Sequence, residues 1–124
     1  MQWLAVAVGG ALGALGRYGL NALIYQGYSG KFPLGTLCVN VLGSVAIGVL
    51  YVVIVERYLL PAMFREFLMI GLLGAFTTFS TFSLDSLALW QNGHPGLALG
   101  YILLSLILCL AGAWLAIALT RILL

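Results

Sequence analysis

The sequence predicts an all-α membrane protein with four transmembrane helices. Of its 124 residues, 64% are hydrophobic and 6% are charged, against roughly 45–50% and about 25% in soluble domains. A soluble domain of this length buries only about two-thirds of the surface that its unfolded chain exposes. Uncharged runs at 32–55, 67–84 and 86–120 reach or exceed the roughly 17–25 residues that cross a bilayer. A water-soluble enzyme and a disordered chain are therefore excluded.

The charges and cysteines exclude two further classes. The net charge is +2, and the basic residues form no cluster that could neutralise a phosphate backbone, so we expect no nucleic-acid partner. These residues are Arg17, Lys31, Arg57, Arg65 and Arg121. Cys38 and Cys109 are too few and too far apart for a zinc site, and are interpreted as small buried hydrophobes.

We place the four helices at about 2–25, 35–55, 66–90 and 96–120, in a single domain 1–124, because turn-forming residues separate the apolar runs. The runs lack the alternation of barrel strands. No positive region precedes the first run, so it is interpreted as part of the mature protein and not as a signal peptide. Basic residues only weakly favour a cytoplasmic N-terminus, which leaves room for insertion in both orientations.

The third helix is predicted to be interrupted near the membrane midplane. Five hydroxyl residues fall within 77–83, and glycine together with threonine weakens a helix. Gly74 and Thr77 lie roughly 12–17 Å along this helix. Backbone carbonyls exposed at that depth would offer hard oxygen ligands to a cation.

Polar residues recur at matching depths in the other helices. Arg17 and Asn40 each lie roughly 8 Å from the same interface. Tyr101, Ser105 and Cys109 follow one another at intervals of four residues, so they line one face of the fourth helix.

Two aromatic residues of the third helix, Phe79 and Phe82, are three residues apart and point the same way. Since the edge of an aromatic ring carries partial positive charge, these rings can face an anion.

The chain resembles the Fluc (CrcB) family of fluoride channels. The resemblance runs nearly end to end and rests on three motifs: Gly16-Arg17-Tyr18, the run from Pro33 to Asn40, and Thr77-Thr78-Phe79-Ser80-Thr81-Phe82-Ser83. It implies a passive fluoride channel in the cell membrane, assembled as an antiparallel dual-topology homodimer. Such a dimer would hold two fluoride pores and a structural, untransported Na⁺ at its centre.

The resemblance also assigns roles by position. It implies that the fluoride pore is lined by Asn40, Phe79, Phe82, Thr81, Tyr101 and Ser105, and that Arg17 lies at the pore vestibule. The backbone carbonyls of Gly74 and Thr77 match the positions that hold Na⁺. This chain departs from the family pattern at Ala75, which follows Gly74 in place of a second glycine, at Asp85 in place of glutamate, and at Cys109 in place of a hydroxyl.

Three alternatives stand beside this interpretation. In the first, the chain would be a non-conducting or one-pore subunit of a fluoride channel formed with a paralogue. In the second, it would be a small multidrug-type transporter, a class with the same size and number of spans. Such transporters need an acidic residue deep in the first helix, where this chain has Arg17. A membrane enzyme would need a cluster of catalytic groups, and Asp85 and His94 are too few.

Overall fold

The computed structural model describes residues 1–124, and every regular element in it is helical. Four helices are long and apolar enough to cross a membrane: Gln2–Gln26, Leu34–Glu56, Arg65–Gln91 and Pro95–Leu123, hereafter spans 1 to 4. Their ends lie within three residues of those expected from the sequence. The predicted all-helical architecture with four spans is confirmed.

Span 3 is broken about halfway along. Its first half comprises Arg65–Leu73 and Gly74–Phe76, and its second half is Phe79–Gln91. Between them, Thr77 (ψ 159°) and Thr78 (φ −152°, ψ 116°) have extended backbone. The predicted interruption of the third helix is therefore confirmed.

Two π-helical stretches were not predicted. Tyr51–Glu56 ends span 2, and Arg65–Leu73 begins span 3. The wider turn continues past the first stretch, where the N–H of Arg57 donates to the carbonyl of Val52, five residues earlier, at 2.9 Å. Apolar composition does not distinguish a π turn from an α turn, so the sequence carried no signal for them.

The two halves of span 3 pack against different neighbours. The first half lies along span 1, the second half lies along span 4, and span 2 packs mainly against span 4. The break thus lets one span pass from one side of the bundle to the other.

Close contact between span 1 and span 3 depends on glycine. A Cβ atom at Gly9 would collide with the carbonyl oxygen of Phe67, and one at Gly13 with that of Leu72. Small residues at such crossings let helix backbones approach each other and gain van der Waals contact, which is the main attraction between helices in lipid.

We expect Gly13→Ala to destabilise the fold by about 1–3 kcal/mol, because the added methyl group meets backbone that must move away. Gly10→Ala is the matched control, because its Cβ atom would meet nothing within 4 Å. Thermal unfolding of both variants in the same detergent measures the difference. Equal unfolding temperatures for the two variants would contradict the close contact at Gly13.

Candidate functional site: a groove at the break in span 3

A groove of about 330 Å³ lies beside the break and is walled by spans 2, 3 and 4. It brings together six of the nine predicted site residues, namely Asn40, Gly74, Thr77, Phe79, Phe82 and Ser105. Thr81, Tyr101 and Arg17 do not line it. The walls are completed by Gly43, Ser44, Thr78, Cys109 and four aliphatic side chains.

The side chain of Asn40 pairs with the backbone of the break. Its Nδ2 donates to the carbonyl oxygen of Thr78 at 3.0 Å, and its Oδ1 accepts from the N–H of Thr78 at 2.8 Å. An unpaired backbone group in a bilayer costs several kcal/mol, so this amide replaces hydrogen bonds that the break removes. An amide nitrogen carries two hydrogens, so a second N–H of Asn40 is left to serve the groove.

Thr78 also starts the second half of span 3. Its Oγ1 accepts from the N–H of Thr81 at 3.2 Å and donates to Thr81 Oγ1 at 3.0 Å. A threonine at this position is a favoured N-cap, since it satisfies a donor that has no partner within the helix. Thr81 is therefore held in the cap and does not line the groove.

These redirected hydrogen bonds release two carbonyl groups. In a continuous α-helix, the N–H of Thr78 would donate to Gly74 and the N–H of Thr81 would donate to Thr77. Here the first donates to Asn40 and the second to Thr78. The carbonyls of Gly74 and Thr77 thus lose their usual helix partners beside the groove.

Phe79 and Phe82 both line the groove, with ring centroids 5.4 Å apart. The cap places Phe79 in the first turn of its half-helix, where the helix dipole is positive. Phe79 is 75% exposed in the single chain, so one side of the groove is open.

Tyr101 lies behind Phe82, and the centroids of the two rings are 5.3 Å apart. The side chain of Tyr101 is fully buried. Its hydroxyl donates to Asp85 Oδ2 at 3.2 Å. The sequence signal for this pair was Asp85 itself, a lone carboxylate in a long apolar run, but its partner could not be identified from spacing.

Ser105 and Cys109 line the groove one turn apart on span 4. The Oγ of Ser105 is buried and has no hydrogen-bond partner in the chain. A buried hydroxyl without a partner is costly, which marks Ser105 as a group available to a bound ion or water.

Arg17 lies apart from the groove. It is half-buried on span 1, and its Nε is buried without a hydrogen-bond partner. The structure does not bring it to the side chains at the break.

The polar side chains of the groove are uncharged. They are one amide, several hydroxyls and the thiol of Cys109, and no carboxylate is among the lining residues. No group of three or more His, Cys, Asp or Glu side chains is placed to hold a metal ion.

The fold and groove define a multi-pass membrane protein with a mainly apolar groove between its spans, into which a few polar groups reach. Residues 4–117 match the family model described as "CrcB-like protein, Camphor Resistance (CrcB)". The chain belongs to the CrcB family.

Similar proteins are named as ion channels and not as enzymes. A "Fluoride-specific ion channel FluC" from Saccharophagus degradans is 53% identical over 119 residues, which cover 96% of this chain and 89% of that protein. Proteins of the same name from Magnetococcus marinus and Coxiella burnetii are 45% and 41% identical, each over 98% of both chains.

We expect Asn40→Ala to destabilise the protein by about 2–4 kcal/mol, because it removes two hydrogen bonds and leaves the Thr78 backbone unpaired. Asn21→Ala is the matched control, since the Oδ1 of Asn21 is buried without a partner and its loss removes no such bond. Thermal unfolding in detergent compares them. If Asn40→Ala lowers the unfolding temperature no more than Asn21→Ala does, the structural role of Asn40 is contradicted.

Proposed function

We propose that this protein is a fluoride-selective channel that exports fluoride passively and lowers its cytoplasmic concentration. The observation that carries the proposal is the convergence of an amide side chain, two phenyl rings and a helix N-terminus on one groove that has no carboxylate. The family and its named relatives support the choice of fluoride as the anion.

The residues of the groove supply hydrogen-bond donors to an anion that loses its water shell. Fluoride is small and strongly hydrated, so a pore must replace its water shell with hydrogen-bond donors. The free N–H of Asn40 and the hydroxyl of Ser105 donate. The edges of Phe79 and Phe82 add weaker attraction.

The remaining predicted residues act around this centre. Tyr101 supports Phe82 from behind and continues the polar face of span 4 outward from Ser105. Thr81 holds the cap that fixes Phe79. Arg17, with its buried and unpartnered Nε, attracts the anion at the vestibule.

We further propose an antiparallel dimer with two pores. The groove is open along one side, and Phe79 is largely exposed there. A second copy, inverted and related by a two-fold axis in the membrane plane, would close both grooves at once. The weak charge bias of the loops allows both orientations.

The carbonyls of Gly74 and Thr77 fit a structural Na⁺. Both have lost their usual helix partners, and carbonyl oxygens are suitable ligands for a hard cation. A two-fold axis at the break would double the two oxygens to four. When bound, Na⁺ would join the two chains and take no part in fluoride transfer.

We expect vesicles that contain this chain alone to release fluoride, read with a fluoride electrode, without releasing chloride. Phe82→Leu removes a ring edge from the groove and should slow release about tenfold, equivalent to the upper part of the roughly 0.5–1.5 kcal/mol that an aromatic contact contributes. Phe64→Leu, which lies away from the groove in a separate cavity, is the matched control and should keep normal release.

The outcomes separate the alternatives. Release of fluoride and chloride at equal rates would contradict selectivity. If well-folded protein releases no fluoride alone but does so with a coexpressed paralogue, the chain is one subunit of a heterodimer and the homodimer is wrong.

Removal of sodium tests the proposed cation site. We expect exchange of Na⁺ for K⁺ at constant ionic strength to lower the unfolding temperature and to dissociate the dimer. A ligand present at a free concentration of 100 times its Kd stabilises the folded state by about 2.7 kcal/mol, and removal of sodium would take such a contribution away. Thermal unfolding and the mass of the detergent-solubilised particle measure both effects. Unchanged stability and mass in K⁺ would contradict a structural Na⁺.

A further inference from the structure

A second cavity, of about 520 Å³, lies where the loop between spans 1 and 2 meets the loop between spans 3 and 4. Unlike the groove, it has charged side chains and a histidine in its lining, namely Lys31, Asp85 and His94, together with the amide of Asn92. None of these was assigned a role by sequence motif. We call this cavity the mouth.

Lys31 and His94 join the two loops across the mouth. Lys31 Nζ lies 3.2 Å from His94 Nε2. A lysine ammonium group has donors but no acceptor, so it donates and the neutral ring of His94 accepts. His94 directly precedes span 4, whose N-terminus adds partial positive charge.

The other titratable groups at the mouth come from spans 1, 3 and 4. Asp85 of span 3 is the one acidic residue in its lining, and its Oδ2 accepts a hydrogen bond from the hydroxyl of Tyr101 on span 4. Tyr25, at the end of span 1, lines the mouth, and the ring of Tyr28 lies 6.4 Å from it. With His94 neutral, the charges of Lys31 and Asp85 cancel.

One aromatic stack separates the mouth from the groove. Phe32, which lines the mouth, meets Tyr101 edge-on with ring centroids 5.6 Å apart. Tyr101 in turn contacts Phe82, which lines the groove. The rings of Phe32, Tyr101 and Phe82 therefore lie between an anion held in the mouth and the break in span 3.

We propose that the mouth is a loading site for a small monovalent anion, and that protonation of His94 makes it competent to bind. A proton from solvent on Nε2 removes the acceptor used by Lys31 and turns that nitrogen into a donor. Two adjacent cationic donors then repel each other unless an anion lies between them. The net charge of the lining rises from zero to +1, which attracts anions and raises their local concentration.

This inference rests on the proposed function only in taking fluoride as the anion. His94 is the only histidine in the chain. Histidine is the side chain whose charge ordinarily changes between about pH 5 and 8, so a response to pH in that range can be traced to one residue.

Fluoride release from vesicles at about pH 7.5 and about pH 5.5, near the two ends of that range, tests the loading site. Protein-free vesicles correct for leakage of undissociated hydrofluoric acid. For the wild type, we expect the fluoride concentration at half-maximal rate to fall about tenfold at the lower pH, which is the lower end of the range by which local fields raise ion concentrations and encounter rates. His94→Gln should remove this response. Arg65→Gln, which removes a positive charge at the other end of span 3, should keep it.

A binding measurement keeps the test independent of conduction. We expect sodium fluoride to raise the pKa of His94, followed by NMR of the single labelled histidine, relative to sodium gluconate, and Lys31→Met to reduce this shift. No fluoride-dependent shift would overturn the loading site, as would a wild type without pH response or a His94→Gln variant that retains it. A fluoride-dependent shift in a protein that conducts no fluoride would uphold the loading site while contradicting the proposed channel function.

Discussion

In a bilayer, a helix can be broken only where other groups replace the hydrogen bonds that the break removes, and Asn40 does this for span 3. Its amide donates to and accepts from the backbone of Thr78. The hydrocarbon of the bilayer offers no hydrogen bonds in its place. The extended backbone at Thr77 and Thr78 is therefore held by a side chain from a neighbouring span.

Several features of the site follow from this one pairing. Because Thr78 is held in an extended conformation, its hydroxyl is free to cap the second half of span 3. The cap fixes the start of the half-helix that carries Phe79 and Phe82 towards the groove. The same redirection takes away the helix partners of the Gly74 and Thr77 carbonyls. A donor surface and an oxygen-rich surface thus arise at the same break, which places a proposed anion path beside a proposed cation site.

The sequence predicted the spans well because hydropathy over about 20 residues reports directly on the cost of membrane burial. It predicted the break in span 3 because hydroxyl residues and glycine weaken a helix locally. It did not predict the partner of Asn40, since a contact between residues 38 apart in the chain depends on how spans pack. The Tyr101–Asp85 and Lys31–His94 contacts were missed for the same reason. The π-helical stretches at 51–56 and 65–73 leave no mark on composition.

The most direct test of the account is a structure of the protein in lipid nanodiscs prepared in sodium fluoride. We expect Asn40 to remain paired with Thr78, and density for fluoride to lie within hydrogen-bond distance of the free N–H of Asn40, beside the edges of Phe79 and Phe82. A continuous third span, or a groove filled by a lipid chain with no ion beside Asn40, would contradict it.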